Sequence, residues 1–328
     1  MNEIGGYVKL RALGKTGMKV SEVGLGAWQV GGPVDGLFGD RGRIAHGWGP
    51  VDDAASVRMI RKCGELGINF IDTAAGYGAG HSEEVVGEVL REGREDWILE
   101  TKGGEWFDEE LANRRSFSYG RLIAQIDESL SRLKTDYVDV YLLHGPSADD
   151  VADGGCLKAL DQIRSSGKAR ATGVSLGSPE LGLELLAHDV VDVLQVAMSV
   201  TDVRMAEKLL PEAEAKGVGV VVRGVMGSGY YTGDIDESTE FDNADRRIWQ
   251  KGAERGKQIS DSFRFLEADG RTLTQSLIRY PLHFPAVSTV IVGSKREDHM
   301  ASNAATSDAP ALTEEELAEV ARAREGLQ

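Results

Sequence analysis

The chain has 328 residues, of which 41% are hydrophobic and 27% are charged, a composition typical of a globular protein without low-complexity disorder. A formal net charge of −16 speaks against a broad basic surface for nucleic acid or anionic lipid. Any phosphate site must therefore be a local basic pocket.

The two cysteines and the amino terminus carry no sign of a metal site or of export. Cys63 and Cys156 fall in predicted helices without metal-ligand spacing, so buried thiols are the simpler interpretation. The first ten residues, MNEIGGYVKL, lack the basic and apolar regions of an export signal, and no apolar run reaches the length of a membrane span. We expect a cytoplasmic protein without a metal or a membrane partner, either a monomer or a homo-oligomer.

Taken in chain order, the first predicted element is a β-hairpin. The segment KLRALGKTGMKVSEVGLG turns at Lys15 to Gly17 and is suited to cover the amino-terminal mouth of a barrel. Eight β-rich segments follow, separated by amphipathic helical segments. The predicted strands are 22–26, 68–71, 97–101, 137–143, 169–174, 191–197, 218–223 and 288–292.

Predicted helices alternate with these strands. They are 51–67, 82–93, 118–134, 157–168, 178–189, 203–217 and 271–282, and most end in the glycine or lysine expected at a carboxyl end. One more amphipathic helix follows the eighth strand and begins at Thr313, with Glu316 three residues on. The alternation predicts an α/β protein, a single (β/α)8 TIM barrel domain over residues 1–328. A doubly wound open sheet is the alternative.

Three connections, 27–50, 102–117 and 224–270, are longer than a turn requires, and each follows a predicted strand. Long loops on this side of a barrel surround the active-site face. Their aromatic residues are Trp28, Phe38, Trp48, Trp106, Phe107, Tyr230 and Tyr231. We expect an aromatic-walled pocket, with Trp28, Trp48 and Trp106 as candidate substrate contacts; anchoring of the loops is the alternative role.

Polar side chains stand at the ends of consecutive predicted strands. In chain order they are Asp72, Lys102, His144, Ser175, Gln195 and Arg223, of which the fifth lies within its strand. Alone, each has an ordinary explanation as a cap, a solvated charge or a packed side chain. Because the carboxyl ends of barrel strands converge on one mouth, together they predict a functional site.

Four residues suit proton transfer to a carbonyl oxygen. The ammonium of Lys102 would bring the pKa of Tyr77 down from about 10 toward the working range. A carboxylate such as Asp72 would keep that lysine charged in a partly desolvated pocket. A neutral His144 would donate to the carbonyl oxygen and orient it. The set lacks a nucleophile with its base, so it suits protonation of an alkoxide, and another group must deliver the hydride.

Several segments resemble the aldo-keto reductases in order and spacing. They are RALGKTGMKVSEVGLGAW, INFIDTAAGYGAGHSEEVVGEVL, DYVDVYLLH, GKARATGVS, GYYTG and TLTQSLIRYPLHFPAVSTVIVGSKREDHMASNAA. The resemblance covers nearly the whole chain and implies a (β/α)8 barrel that binds NADPH and reduces aldehydes or ketones. The family's catalytic aspartate, tyrosine, lysine and histidine fall on Asp72, Tyr77, Lys102 and His144, with Tyr77 as the general acid.

The resemblance also implies where the nicotinamide binds. Ser175 and Gln195 match the residues that hold its carboxamide, but Leu176 stands where an asparagine is usual. Arg223 stands where many members place an aromatic ring. A guanidinium can stack there or offer charge to a phosphate or substrate oxygen.

The pyrophosphate and adenosine contacts are implied farther along the chain. The matching residues are Gly227, Gly229, Gly293, Ser294, Lys295, Arg296, His299 and Asn303. Near the end of the eighth strand, amide groups at a helix start and a basic side chain would face a 2'-phosphate, which favours NADP(H) over NAD(H). His299 replaces a common glutamine. A flexible glycine loop and a solvated basic helix start are the ordinary alternatives.

One function is favoured and others stay open. The sequence predicts an NADPH-dependent oxidoreductase that reduces a small-molecule aldehyde or ketone, with sugar-like compounds among the candidates. The same residues suit an NAD(P)-dependent dehydrogenase that oxidises a sugar or another hydroxyl compound, because the reaction is reversible. A metal-assisted isomerase or lyase and a non-catalytic nicotinamide-nucleotide sensor are the other classes.

Overall fold

A computed structural model describes residues 8–250 and 252–327. Eight parallel strands close a barrel in which each strand pairs with the next in the chain and the eighth pairs with the first. They are β1 (Val23–Gly26), β2 (Phe70–Asp72), β3 (Ile98–Gly103), β4 (Val138–His144), β5 (Ala169–Leu176), β6 (Val193–Ala197), β7 (Gly219–Arg223) and β8 (Val287–Val292). The predicted barrel is confirmed, and the open sheet is wrong.

The polar residues at the strand ends belong to the strands themselves. Asp72 pairs with Gly26 in the β1–β2 ladder, and His144 pairs with Ser175 in the β4–β5 ladder. Several strands therefore extend one or two residues past the predicted ends. The apolar run stops at the barrel mouth because solvent and ligand groups begin there, whereas backbone pairing continues.

The amino-terminal hairpin pairs Leu10–Ala12 with Lys19–Ser21. The Lys15 N–H donates to the Gly217 carbonyl at 2.7 Å, which attaches the turn beside the start of β7. Leu13 is fully buried in an apolar cluster with side chains from inside the barrel. The hairpin therefore covers the amino-terminal mouth, as the sequence predicts.

Helices cover the outside of the barrel. They are Asp53–Glu65, His81–Leu90, Tyr119–Leu133, Ala148–Ala152, Gly155–Ser165, Pro179–Leu185, Arg204–Ala215, Ala253–Ser262, Leu273–Leu282, Glu297–Ala304 and Glu314–Glu325. The last begins at Thr313, which forms the predicted capping box with Glu316. Two helices, Ala148–Ala152 and Ala253–Ser262, were not predicted from the sequence. The first has only five residues, and the second is largely polar, with Ile259 as its buried large apolar side chain.

The three long connections form one layer over the carboxyl ends of the strands. The first contains the hairpin Val34–Leu37 with Arg43–His46, and the second contains Glu105–Phe107 with Asn113–Arg115. A backbone hydrogen bond from Leu37 N to Leu111 O, at 2.8 Å, joins these two. The third connection joins the first through Arg246 N to Gly47 O at 3.0 Å and Gly49 N to Ala244 O at 3.3 Å. The layer therefore lies over the strand ends that carry the polar residues.

The described residues contain neither a membrane-spanning helix nor a cluster of metal ligands. In residues 8–250 and 252–327, no helix is long and apolar enough to cross a membrane. The same part of the chain has no group of three metal-ligating side chains. Cys63 and Cys156 are free, buried thiols. The first seven residues, on which part of the export prediction depends, lie outside the described residues.

Candidate active site

A buried lysine joins Asp72 and Tyr77 at the carboxyl ends of β2 and β3. The Lys102 ammonium donates to the Asp72 carboxylate, to the Thr73 carbonyl at 2.9 Å and to the Tyr77 hydroxyl at 3.3 Å. Lys102 is fully buried, and Asp72 is nearly so. Neighbouring strands bring the lysine and the aspartate together, and the short loop after β2 returns the tyrosine to them.

The turn that carries Tyr77 depends on a close backbone contact. Tyr77 begins a 3-10 turn in which Gly78 has a φ of +62°. A Cβ atom on Gly78 would lie 1.9 Å from the Gly31 carbonyl oxygen, so glycine is required there. The Tyr77 ring stacks on the Trp28 ring with centroids 5.5 Å apart and an interplanar angle of 15°. The turn and the stack together fix the phenol.

In this cluster, neighbouring charges and burial shift the pKa values of Tyr77 and Lys102 in opposite directions. Burial raises the pKa of Tyr77, and the Lys102 ammonium lowers it, but burial has the larger effect, so the net pKa is raised. The expected fall of the tyrosine pKa toward neutrality is therefore wrong for this structure, although the lysine acts in the expected direction. Burial lowers the pKa of Lys102, but the Asp72 charge, the hydrogen bond to Asp72 and the other acidic groups of the cluster together outweigh burial, so the lysine pKa is raised. The lysine keeps its proton and the phenol is protonated at neutral pH.

His144, the last residue of β4, lies beside the phenol. Its ring is edge-on to the Tyr77 ring, with centroids 5.7 Å apart. Burial, followed by the charges of Lys102 and Arg223, lowers the pKa of His144 well below its ordinary value, so the imidazole is neutral. Its Nδ1 is buried and has no hydrogen-bond partner among the described residues, and the Glu105 carboxylate is 3.9 Å away. A neutral imidazole without a partner can donate to a ligand oxygen.

Glu100 is a member of the cluster that the sequence analysis missed. It lies opposite Asp72 in the β2–β3 ladder and is fully buried. Burial and then the Asp72 charge raise the pKa of Glu100 well above its ordinary value, so it is protonated. The sequence does contain a signal for it, because Glu100 precedes Lys102 by two residues and alternate residues of a strand lie on the same face.

Both ends of the Gln195 side-chain amide form hydrogen bonds inside the barrel. Its Nε2 donates to Asp72 Oδ1 at 2.8 Å and to Glu100 Oε1 at 2.6 Å, and its Oε1 accepts from the Ser175 hydroxyl at 2.9 Å. The two residues predicted to hold the carboxamide thus lie together, bonded to each other. Leu176 beside them is buried. A carboxamide here would have to use the acceptor capacity that remains on Ser175 and Gln195.

Aromatic rings form a cluster beside Tyr77. The Trp28 centroid is 5.4 Å from that of Trp48 and 5.1 Å from that of His46. Phe38 and Phe107 complete the group, each within 6 Å of the His46 centroid. Sequence analysis missed His46, which carries no local signal because a hairpin in the long loop brings it here. Burial, then Arg246 and Arg41, lower the pKa of His46 to about 4.

Trp106 does not contact this group of rings. The guanidinium carbon of Arg121 lies 4.0 Å from the Trp106 ring centroid, on the side of the hairpin facing the helix Tyr119–Leu133. Trp28 and Trp48 therefore belong to the ring cluster beside Tyr77, whereas Trp106 makes a different contact. Strand alternation in the hairpin explains the difference, because it places Trp106 and Phe107 on opposite faces.

The predicted glycine amides are already used within their turn. The Gly227 N–H donates to the Gly224 carbonyl at 3.1 Å, and the Gly229 N–H donates to the Met226 carbonyl at 2.9 Å. Binding a pyrophosphate through these two amides would require the turn to open. Arg223 precedes this turn at the end of β7.

The residues predicted for the adenosine end lie at the start of the helix Glu297–Ala304. Lys295 Nζ donates to the carbonyls of Trp48 at 2.7 Å and Pro50 at 3.2 Å, which ties the first long loop to the end of β8. Arg296 is exposed and pairs with Asp298, while Ser294 accepts from the Arg296 N–H at 3.0 Å. A Cβ on Gly293 would overlap the Gln29 side chain. His299 is exposed and Asn303 is buried.

An acid–base cluster at the carboxyl ends of eight barrel strands, under a layer of long loops, is the arrangement of a barrel enzyme. The chain belongs to the aldo/keto reductase family, whose model matches residues 22–325. It is therefore an oxidoreductase that acts on carbonyl or alcohol groups.

Individual relatives span most of the chain. It is 29% identical over 315 residues to the uncharacterized oxidoreductase YqkF of Bacillus subtilis (strain 168), covering 94% of each protein. It is 31% identical over 242 residues to the NADH-specific methylglyoxal reductase of Escherichia coli (strain K12), covering 68% of this chain and 69% of the relative. The holo form of aldo-keto reductase AKR11C1 from Bacillus halodurans superimposes with a TM-score of 0.79 at 28% identity, covering 97% and 96% of the two chains.

Proposed function

We propose that this protein is an NADPH-dependent reductase of small aldehydes or ketones, with Tyr77 as the proton donor. The observation that carries the proposal is the buried Lys102 ammonium, which bonds both the Asp72 carboxylate and the Tyr77 hydroxyl. A phenol kept protonated by burial and held beside a fixed cation is suited to protonate an alkoxide as it forms.

Several ring nitrogens beside the catalytic cluster lack a hydrogen-bond partner that a bound ligand could provide. The ring nitrogens Trp28 Nε1, Trp48 Nε1, His46 Nδ1 and His144 Nδ1 are buried and have no hydrogen-bond partner among the described residues. Buried polar atoms without partners are costly, so these sites fit the oxygen and amide groups of a bound cofactor and substrate. A dinucleotide would be held by Ser175, Gln195 and Arg223 at its nicotinamide end and by the residues at 293–296 at its other end.

Each protein group then has a defined role. The bound reduced nicotinamide supplies the hydride. Tyr77 gives its proton to the carbonyl oxygen, and Lys102 stabilises the phenolate that remains. Neutral His144 donates to the same oxygen and orients the carbonyl. Asp72 keeps the lysine charged, and the aromatic walls exclude water from the pocket.

The preference for NADPH is supported by the basic residues at the end of β8. Lys295 has donor capacity beyond its two backbone carbonyls, and Arg296 is exposed at the helix start, where an anion is also favoured by the helix dipole. A family relative is NADH-specific by name, so the preference needs a direct comparison of the two cofactors.

The test is consumption of NADPH with a panel of aldehydes, ketones and keto-sugars, in parallel with the variant Tyr77→Phe. We expect the variant to bind NADPH normally and to lose about 10²- to 10⁴-fold in turnover. Tyr119→Phe is the matched control, since Tyr119 is 44% exposed on an outer helix. Turnover by Tyr77→Phe at the wild-type rate would refute the assignment. Binding of NADPH without turnover of any substrate would indicate a sensor instead.

A further inference from the structure

Three arginines near the aromatic cluster have no anionic partner among the described residues. The guanidinium groups of Arg41, Arg223 and Arg246 make no hydrogen bond or ion pair with any other residue in 8–250 and 252–327. The charges of Arg41 and Arg246 act on His46, and that of Arg223 acts on Tyr77 and His144. In a chain with a net charge of −16, unpaired cations gathered at one pocket need an explanation.

Arg246 is the most constrained of the three. Its backbone N–H donates to the Gly47 carbonyl at 3.0 Å, and its guanidinium carbon lies 4.5 Å from the Trp28 ring centroid and 5.9 Å from that of Trp48. Trp28 in turn stacks on Tyr77. Arg246 and the proposed proton donor therefore contact the same indole ring.

The neighbouring acids do not neutralise this cation. Asp245 precedes it in the chain, but its two carboxylate oxygens accept from Arg247 at 3.0 and 2.7 Å. Burial lowers the pKa of Arg246, with Asp245 acting weakly in the opposite direction. A partly buried guanidinium without an anion costs stability, and a carboxylate or phosphate matches its planar donors.

We propose that Arg246 binds an anionic group of the substrate, so that the preferred substrates are small carbonyl compounds carrying a carboxylate or a phosphate. This inference rests on the proposed function and names the substrate class of the same site. Trp48 supplies a second indication, because the residue is only 8% exposed and its buried indole N–H has no hydrogen-bond partner within the part of the chain that the structure describes. Indole N–H groups are donors only and suit anionic oxygens.

The test compares charged and neutral substrates of one shape, namely 4-carboxybenzaldehyde and its methyl ester, and glyceraldehyde 3-phosphate and glyceraldehyde. We expect Arg246→Gln to raise KM for the charged member of each pair by at least about tenfold, with little change for the neutral member. The Kd for NADPH, from fluorescence titration, should not change. Arg264→Gln removes one charge from an exposed arginine after the same strand and is the control.

The possible outcomes separate the inference from the proposed function. Equal KM values for charged and neutral substrates in wild type would overturn the inference and leave the reductase assignment intact. A rise in the Kd for NADPH with an unchanged substrate ratio would place a cofactor phosphate on Arg246 and would also overturn it. If no aldehyde is reduced, the reductase assignment fails. The anion site can then be tested separately, by measuring the binding of 4-carboxybenzyl alcohol with calorimetry. Binding that weakens in Arg246→Gln supports the anion site, and absence of binding contradicts it.

Discussion

Asp72 and Glu100 face each other across two parallel strands and share the amide of one glutamine. Gln195 Nε2 lies 2.8 Å from an Asp72 oxygen and 2.6 Å from a Glu100 oxygen. The Lys102 ammonium bonds Asp72, so the pair has one adjacent cation for two carboxyl groups. Two buried carboxylates this close cannot both be ionised at low cost, and Glu100 is the one that keeps its proton.

Glu100→Gln should make the protein more stable at high pH than wild type. The pKa of Glu100 is raised above its ordinary 4.5 in the folded protein. The unfolded chain therefore loses this proton first, and wild-type stability falls as the pH rises above 4.5 toward the folded pKa. Because glutamine does not titrate, the free energy of unfolding of the variant relative to wild type should rise between pH 4 and pH 8. Urea unfolding at several pH values measures this, with the exposed Glu237→Gln as a control that should show no such trend.

Asp72→Asn and Glu100→Gln should not be additive in stability. When Asp72 is neutral, Glu100 can ionise and become the counter-ion of Lys102, so the single variant Asp72→Asn keeps a buried pair. The double variant leaves the ammonium unpaired and should lose about 3 to 5 kcal/mol more than the sum of the single changes. A double-mutant cycle by chemical denaturation gives the coupling directly. Additive values would show that Glu100 does not exchange its proton with Asp72.

Lys295→Gln should weaken NADPH binding selectively. Loss of one charged donor to a 2'-phosphate should raise the Kd for NADPH about tenfold and leave the Kd for NADH unchanged. Lys257→Gln, on an outer helix and paired with Asp261, is the charge-matched control. An equal rise for both cofactors would mean that Lys295 serves only to hold the loop through the Trp48 and Pro50 carbonyls.

His46 should contribute to loss of stability in acid. Its pKa is lowered from 6.5 to about 4, chiefly by burial. Between these values the unfolded chain binds a proton that the folded protein does not, so stability falls as the pH drops from 6.5 to 4. His46→Asn should remove on the order of 2 kcal/mol of this loss. Thermal unfolding at pH 7 and pH 4.5 measures this difference, with His283→Asn at an exposed position as the control that should behave as wild type. His144 also lowers stability in acid, but it does so equally in wild type and in both variants.

Arg271 should hold the carboxyl-terminal helix on the barrel. It is 4% exposed, pairs with Glu316 and donates to the Pro310 and Ala311 carbonyls at 3.1 and 2.9 Å. Arg271→Met leaves the partly buried Glu316 carboxylate without its cation and should cost about 3 to 5 kcal/mol. Arg322→Met, at an exposed position of the same helix, should cost little. Limited proteolysis should then release the carboxyl-terminal segment from the first variant and not from the second.

Much of this molecule follows from local sequence. Alternating apolar strands and amphipathic helices predict the barrel, because each element must bury one face and short connections force parallel pairing. The acid, the lysine and the histidine at the ends of β2, β3 and β4 could be named in advance, since strand ends in a closed barrel converge. The capping box at Thr313 was equally local.

The tertiary structure decided the rest. Arg246 and His46 reach the pocket through hairpins and loops whose packing depends on residues far away in the chain, so no local pattern marks them. The balance between burial and charge that raises the tyrosine pKa is a sum over groups from several strands. The sequence by itself determined which elements form and which polar groups end the strands, because these depend on near neighbours. Only the assembled barrel determined which charged side chains pair with each other, because pairing depends on distances across the whole fold.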